Sequence, residues 1–509
     1  MPPKIPRLLW ICVPLAYLSY FYRLDAAGLT GADEPRYASI AREMARSGDW
    51  ITPRLWGQPW FEKPPLLYWM SGAAFRLGLG TELAPRLPVA LMAVAFLVFY
   101  WWILNREFGG RAAWFAVLIL GTCGGWLATS QVGVTDLPLT ATYSAAMLLA
   151  LPWIGRRDAR YLPAAAALLG FAVLAKSGVP VVLALPLLWW GMPWAWRTRE
   201  GLVEDPGRGP RLRVSVFRLP YVRIVAAFLI VALPWHVLCY LRNGSIFPNT
   251  LFVQQQLRRM TSDALQHVQP WWFYLPVLIG LLLPWSPLLL ILARRSAFLD
   301  PRRQFLLAWV LFGLVFFSVA PNKLPGYVLP LLPAVAVLMA LALEEAGAAR
   351  YWLAGCALLL AAIPIAAPLL PAAVANGLSR APRPAFHWTW LLPLGVAAVV
   401  WVLYGRSRRL AAVLAIAVGA AAGMVYLKRT AAPELDRTAS SRPLWREIAG
   451  RAGEVCVDNI KRDFRYGLNY YSEVPLPECA EQPKPWRVVQ HPGMPPTLVP
   501  PLAGTVDLH

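Results

Sequence analysis

Two short stretches near the start of the chain hold the densest group of charged side chains in an otherwise apolar sequence. The first runs from Asp33 to Tyr37, and the second runs from Phe61 to Leu66. Asp33 and Glu34 are neighbours in the first stretch, and neighbouring residues on a helix do not share a face. We therefore expect these two carboxylates to have different roles.

The other charged residues of this region have a simpler interpretation. From Pro35 to Ser47 apolar residues recur at helical spacing, which predicts an amphipathic helix lying along the membrane surface. We expect Glu34, Arg36 and Glu43 to form the solvated face of this helix or to make local ion pairs.

Lys63 has a more specific sequence context. It is followed by Pro64 and Pro65, which bias it to an extended conformation and can open a helix at its first turn. An ammonium beside a helix N-terminus suits a phosphate, because the lysine and the free backbone N–H groups point towards the same anion. The sequence therefore predicts a phosphate-binding lysine, and an interfacial lysine that reaches lipid headgroups is the alternative.

Two further ionisable residues lie at the ends of apolar stretches. Asp136 begins one of them, and a carboxylate exposed to lipid would cost about 2.5–3.5 kcal/mol, so it should face the bundle or water. Lys176 separates two apolar runs, and a charge inside a membrane indicates a function by default. An ion pair that serves packing alone stays open as the alternative.

Two more polar segments are predicted on the same side of the membrane. One contains Arg258 and Arg259, and the other is the turn from Asn322 to Tyr327, which contains Lys323. Several cations and at least two carboxylates are thus expected on one side of a helical bundle, which suits an anionic lipid headgroup.

The elements that must position these residues are membrane helices. Hydrophobic residues make up 58% of the 509 residues, whereas a soluble chain has about 45–50%. They fall in blocks of about 20, the length that crosses about 30 Å of hydrocarbon. We predict a mainly α, polytopic membrane protein with about 13 spans, at residues 7–23, 84–105, 112–130, 136–155, 161–176, 178–195, 221–240, 270–293, 304–320, 325–344, 351–371, 388–405 and 410–428.

The net charge of +21 would also suit a nucleic-acid-binding protein, but the basic residues are placed differently. They cluster in short gaps between spans, and these gaps alternate with less basic ones, as the positive-inside rule predicts. We expect no nucleic-acid partner, a bacterial inner-membrane location and a C-terminus in the periplasm.

The predicted domains follow from the lengths of the outer segments. Residues 1–430 form a transmembrane domain whose periplasmic catalytic loops are at about 24–83, 241–269 and 321–326. Amphipathic helices on the periplasmic surface accompany these loops.

The tail at 431–509 is predicted to be a small periplasmic α/β domain. Its expected elements are a helix followed by two strands, at Leu444–Ala452, Val455–Asn459 and Trp486–Gln490. A disulfide between Cys456 and Cys479 is compatible with an oxidising compartment, and the sequence leaves it open.

The order of four motifs resembles a known family. The motifs are Asp-Glu-Pro-Arg-Tyr from Asp33, Phe-Glu-Lys-Pro-Pro-Leu from Phe61, Thr-Asp-Leu-Pro from Thr135 and Lys-Leu-Pro-Gly-Tyr from Lys323. They resemble the bacterial aminoarabinose (4-amino-4-deoxy-L-arabinose) transferases that modify lipid A, within the protein mannosyltransferase-like, type C membrane glycosyltransferases. The likeness covers about residues 8–345, and the remaining spans and tail match in layout only.

The resemblance implies a glycosyltransferase that moves a sugar from undecaprenyl phosphate to lipid A, or to another lipopolysaccharide acceptor, at the periplasmic face. By this resemblance Asp33 is the catalytic carboxylate of the first loop, and Asp136 is the second acidic residue of the site. The residues expected to lie at the lipid phosphate are Lys63, Arg258, Arg259, Lys323 and Tyr327.

The family also binds a metal, through a glutamate that corresponds to Glu62 and a histidine of the second loop. The matching position here is Gln254, and a neutral amide oxygen is a poor zinc ligand compared with imidazole. The sequence therefore gives Glu62 as the candidate zinc ligand and leaves the metal open. His236 and His267 are more typical of interfacial or loop histidines.

Two other interpretations stay open. The motifs identify neither the sugar nor the acceptor, so transfer of glucosamine, galacturonic acid or mannose, or transfer to a protein, fits them as well. A lipid transporter or flippase without chemistry would place charges near the midplane in broken helices, and Lys176 is the one feature that favours it. The sequence does not indicate an oligomeric state.

Overall fold

The computed structural model describes residues 7–187, 221–257, 268–292, 300–377, 381 and 383–500. Eight helices in these ranges are long and apolar enough to cross a membrane: Gly80–Phe108, Asp136–Arg156, Ala159–Lys176, Tyr221–Asn243, Pro301–Val319, Pro325–Glu345, Trp388–Gly405 and Arg409–Thr430. Four shorter apolar helices accompany them: Trp10–Phe21, Gly110–Thr122, Trp271–Leu281 and Arg350–Ala366. The prediction of a mainly helical, multi-pass membrane protein is confirmed.

The number of spans stays a prediction, because the expected span at 178–195 is described only as far as residue 187. Several other apolar blocks are interrupted. The block predicted at 270–293 contains a helix to Leu281 and then a 3₁₀ turn from Ser286 to Ile291. Pro284 and Pro287 lie in and beside this break, and proline lacks the backbone N–H that a continuing helix needs.

Two helices form the centre of the bundle. Asp136–Arg156 is 94% buried over its apolar window, and Pro325–Glu345 is 89% buried. A helix that is apolar all round belongs inside a bundle. These two helices begin at Asp136 and Pro325. Because both are packed on all sides, side chains at their first residues are held in fixed positions.

The helix predicted in the first outer loop is present as Asp33–Ser47 and is called the loop helix below. Asp33 and Glu34 occupy its first turn, where negative charge is favourable, and Gly48 ends it with φ = 72°. The expectation of a solvated face is wrong for Glu34 and Arg36, which are both buried. The alternative of a local ion pair is confirmed for Arg36, which pairs with Asp33. The helix packs against the helix Leu66–Arg76 and against Arg462–Ser472, so ten of its fifteen residues are buried.

The C-terminal segment, residues 432–500, has the predicted α/β character. A helix at Arg442–Ile448 and strands at Val455–Asp458 and Trp486–Val489 lie where the sequence places them. The elements not predicted are two helices and one strand, at Ala432–Ala439, Arg462–Ser472 and Thr497–Val499. The strand Trp486–Val489 is central, parallel to Val455–Asp458 and antiparallel to Thr497–Val499.

A small core of its own holds the C-terminal segment together. Its buried side chains are Leu444, Ile448, Val455, Val457, Leu468, Leu476 and Val488. Cys456 and Cys479, the two cysteines that the sequence left open, form a disulfide. The helix Arg462–Ser472, called the C-terminal helix below, packs against the loop helix and so connects this segment to the first outer loop.

Candidate active site

A buried arginine joins the two charged stretches, Asp33–Tyr37 and Phe61–Leu66. Arg36 Nη2 donates to Asp33 Oδ1 at 2.5 Å and to Glu62 Oε1 at 3.1 Å. The Arg36 side chain is 1% exposed and that of Glu62 is 5% exposed, whereas Asp33 is 59% exposed. Burial alone would lower the pKa of the Arg36 guanidinium, but the charges of Glu62 and Asp33 outweigh burial and raise that pKa above its ordinary value. Arg36 is therefore a permanent cation, and Asp33 is the carboxylate that faces outward.

Lys63 lies on the other side of Glu62. Its Nζ is 3.5 Å from Glu62 Oε1, and its side chain is 14% exposed. The helix Leu66–Arg76 begins directly after Pro65, so Lys63 precedes a helix N-terminus as its sequence context predicts. Two short contacts thus connect Lys63 to Arg36 through Glu62, and a third continues from Arg36 to Asp33.

A second ion pair links two membrane helices. Lys176 Nζ donates to Asp136 Oδ1 at 2.6 Å, and it lies 5.0 Å from the centre of the Tyr327 ring. Gly326 approaches the same carboxylate so closely that a Cβ there would lie 3.4 Å from Asp136 Cγ. Asp136 thus faces the bundle, as the cost of lipid exposure requires.

The two clusters are linked through Glu34, the residue after Asp33, because its carboxylate accepts from the backbone N–H of Gly133, three residues before Asp136. The structure therefore brings together five of the residues selected from the sequence: Asp33, Glu62, Lys63, Asp136 and Tyr327. Lys176, which the sequence left between a function and a packing role, belongs to the same group.

A buried pair that the sequence analysis missed positions both clusters. Glu34 accepts from Arg86 Nε at 2.7 Å and Nη2 at 2.9 Å, and it also accepts from the backbone N–H groups of Thr30 and Gly133 at 3.0 Å each. Thr30 precedes Asp33 by three residues, and Gly133 precedes Asp136 by three. The expectation that Glu34 is solvated or locally paired is therefore wrong. Arg86 lies just inside an apolar span, and this intramembrane charge is the signal by which sequence reasoning could have found it.

The side-chain contacts of Lys323 are with backbone carbonyl groups. Lys323 is buried, and its Nζ donates to the carbonyl oxygens of Gln269 at 2.9 Å and Ala320 at 2.6 Å. This geometry joins two chain segments, and a contact of Lys323 with phosphate stays a prediction. Arg258 and Arg259, like His267, lie outside the described residues.

The residues that the structure describes do not fit a zinc ion at Glu62. Its carboxylate is already within hydrogen-bonding distance of Arg36 Nη2, and its Oε2 also accepts from Trp60 Nε1 at 3.3 Å. Gln254 is exposed, and His236 Nδ1 is 2.7 Å from the carbonyl oxygen of Ala232. Within the described ranges, no three His, Cys, Asp or Glu side chains are grouped to hold a metal. The Arg36 guanidinium occupies the place beside Glu62 that a cation would take.

One further residue near the site was not indicated by any sequence pattern. Tyr466 of the C-terminal helix lies 5.2 Å from Arg36 Cζ, measured to the ring centre. A contact between the two ends of a chain leaves no local periodicity, so sequence reasoning had no signal for it.

Comparison with known proteins supports the same resemblance. A family model described as dolichyl-phosphate-mannose-protein mannosyltransferase matches residues 62–237. The undecaprenyl phosphate-α-4-amino-4-deoxy-L-arabinose arabinosyl transferase of Pseudomonas aeruginosa UCBPP-PA14 is 32% identical over 357 residues, which are 67% of this chain and 60% of that protein. A Pseudomonas fluorescens Pf-5 enzyme of the same name is 32% identical over 64% of this chain and 54% of its own length. The matches thus span between one half and two thirds of these relatives.

The solved structures extend the likeness along almost the whole chain. ArnT from Cupriavidus metallidurans bound to undecaprenyl phosphate superposes with a TM-score of 0.75 at 27% identity, covering 96% of this chain and 86% of that one. The resemblance to the aminoarabinose transferases is confirmed. An oligosaccharyltransferase from Archaeoglobus fulgidus, with a TM-score of 0.50 at 14% identity, shares the fold alone.

Proposed function

We propose that this chain is an inner-membrane glycosyltransferase that moves 4-amino-4-deoxy-L-arabinose from undecaprenyl phosphate to lipid A. The site and the C-terminal segment face the periplasm. The observation that carries the proposal is the joint placement of Lys63 and Asp33. Lys63 is a cation before a helix N-terminus, and Asp33 is an exposed carboxylate. Glu62 and Arg36 connect them through three ion pairs, each with an N–O distance of 3.5 Å or less.

Lys63 suits the phosphate of the donor. In the reaction the bond between the anomeric carbon and the phosphate oxygen breaks, and undecaprenyl phosphate leaves as an anion. An ammonium that precedes a helix N-terminus, where backbone N–H groups lack intrahelical partners, is suited to stabilise this charge as it develops. Arg259, from the second loop, is the second cation proposed for the same phosphate.

The acceptor sets the role of Asp33. A phosphate monoester on lipid A has a second pKa near 6, so its oxygen is already a nucleophile at neutral pH and attacks the anomeric carbon directly. Asp33 then orients the donor and pairs with the ammonium of its amino sugar. A hydroxyl acceptor would need a general base instead, and the exposed Asp33 carboxylate is the group placed for that.

The pair of Asp136 and Lys176 borders the same space and does not need a transport role. A transporter would place charges near the membrane midplane within broken helices. Here Asp136 begins its helix and Lys176 ends one, so both lie at helix ends with Asp33. Their mutual contact at 2.6 Å removes the argument for transport that an unpaired Lys176 would give.

Turnover by the purified protein tests the proposal. In lipid nanodiscs with undecaprenyl phosphate-linked aminoarabinose and lipid A, we expect aminoarabinose-modified lipid A as the product. The Lys63→Ala variant should need about 10- to 100-fold more donor for the same rate, because it loses a charge-assisted hydrogen bond of about 1.5–3 kcal/mol.

The control for this assay is Arg446→Ala, which removes an exposed cation of the C-terminal segment and should leave the donor requirement within about threefold. Lipid exchange between leaflets without any product would contradict the enzyme proposal. If product forms only from another undecaprenyl phosphate-linked sugar, the protein is still a glycosyltransferase, but its donor sugar is not aminoarabinose.

A further inference from the structure

The bonding of Arg36 is incomplete. Nη2 serves both Asp33 and Glu62, whereas Nε and Nη1 are buried and have no hydrogen-bond partner in the part of the chain that the structure describes. A guanidinium has five N–H donors in a rigid plane. Hydrogen bonds from a single nitrogen fix one corner of that plane and leave its rotation open.

Aromatic rings supply the missing constraint. The ring centres of Tyr37 and Tyr466 are each 5.2 Å from Arg36 Cζ, within the range of a cation–π interaction. Tyr466 also stacks on Trp56, with ring centres 5.6 Å apart and planes inclined by 22°. Trp56 belongs to the first outer loop, so the ring of Tyr466 is held between that loop and Arg36.

The contact with Arg36 also brings the C-terminal helix towards Asp33. Arg36 Nη2 donates to Asp33 Oδ1 at 2.5 Å, and Cζ of the same guanidinium lies 5.2 Å from the centre of the Tyr466 ring. Tyr466 therefore contacts the residue that holds the Asp33 carboxylate.

The C-terminal helix is docked by other contacts than Tyr466. Arg42 Nη2 donates to the carbonyl oxygen of Tyr470 at 2.5 Å, and Arg46 bonds both oxygens of Glu473 at 2.6 and 2.7 Å. The Tyr471 hydroxyl accepts from the backbone N–H of Leu29 at 3.1 Å. These contacts remain when the Tyr466 ring is removed, so the helix should stay in place without it.

We propose that Tyr466 is a positioning residue of the active site. Its ring holds the Arg36 guanidinium in the plane that presents Asp33 to the substrate, so that the C-terminal segment completes the site of the first outer loop. This inference rests on the proposed function for its effect on turnover, and on the geometry alone for the coupling of Tyr466 to Arg36.

The first test separates turnover from donor binding. Tyr466→Leu should lower kcat about tenfold, with KM for the undecaprenyl phosphate-linked donor within about twofold, because Lys63 is unchanged. Tyr466→Phe keeps the ring and should restore kcat to within about twofold of the wild type. Phe464→Leu, which trims another ring of the same helix, controls for loosening and should leave kcat within about threefold. Wild-type kcat in Tyr466→Leu, or equal losses in the Phe464 and Tyr466 variants, would overturn the inference.

A second test does not depend on turnover. Thermal unfolding is compared for the wild type, Tyr466→Leu, Arg36→Gln and the double variant. We expect Tyr466→Leu to lower the unfolding temperature more in the wild-type background than once Arg36 is glutamine, because only the stacking on Trp56 is then left to lose. Equal shifts in both backgrounds would overturn the inference. If the wild type is inactive but the effect of Tyr466→Leu on the unfolding temperature still depends on Arg36, the proposed function is contradicted and the contact between Tyr466 and Arg36 is supported.

Discussion

Asp33→Asn is expected to lower the rate of sugar transfer by about 10²- to 10⁴-fold, the range of a positioned acid, base or ion-pairing carboxylate. Asparagine has the same shape and keeps an oxygen that can accept from Arg36 Nη2. The variant therefore removes the charge while the link from Arg36 to Glu62 stays in place. Donor binding should remain largely intact, because the phosphate is assigned to Lys63.

The measurement is turnover together with direct binding of undecaprenyl phosphate to the same preparation. Asp25→Asn is the matched control, since Asp25 is an exposed carboxylate in the same outer segment and has no assigned role. Near-normal turnover in Asp33→Asn would remove Asp33 from the mechanism. Loss of binding in that variant would place Asp33 at the phosphate instead of at the sugar.

The largest effect on stability is expected at Glu34 and Arg86. Both side chains are almost fully buried, at 1% and 6% exposure, so removing one partner leaves an uncompensated buried charge. Glu34→Gln or Arg86→Met should each cost about 3–5 kcal/mol of unfolding free energy. The variant that carries both changes should be less destabilised than the sum of the two, because no unpaired charge remains.

Thermal unfolding in detergent measures these effects, with Arg46→Met as the control. Arg46 pairs with Glu473 at the surface, with 60% of its side chain exposed, and such pairs contribute about 0–1 kcal/mol. The account of the buried pair is wrong if Glu34→Gln unfolds at the temperature of the Arg46 variant. Glu34 also accepts from Gly133, so the loss of activity should accompany the loss of stability.

The sequence predicts the elements that depend on local pattern. The apolar blocks mark the spans, because a span must cover the hydrocarbon thickness wherever it lies in the chain. Pro64 and Pro65 locate the helix start beside Lys63. The topology that the alternation of basic gaps predicts stays a prediction. The breaks inside apolar blocks, such as the one between Leu281 and Ser286, follow from prolines whose effect in a span depends on neighbouring helices.

Pairings between distant segments could not be predicted. The free-energy cost of exposing Asp136 or Lys176 to lipid shows that each needs a partner. It does not show that they pair with each other. Arg36 looks like a solvated helix residue until the C-terminal helix covers the loop helix. Tyr466 contacts Arg36 only because the chain folds back on its first outer loop, and single-sequence periodicity contains no information on that contact.

The most direct test of the central claim is mass spectrometry of lipid A from cells with and without this protein. The account predicts lipid A carrying the added mass of one or more aminoarabinose groups in cells that make the wild-type chain. Cells that make only Asp33→Asn, at equal membrane abundance, should lack this addition. Identical lipid A in all three strains would contradict the account.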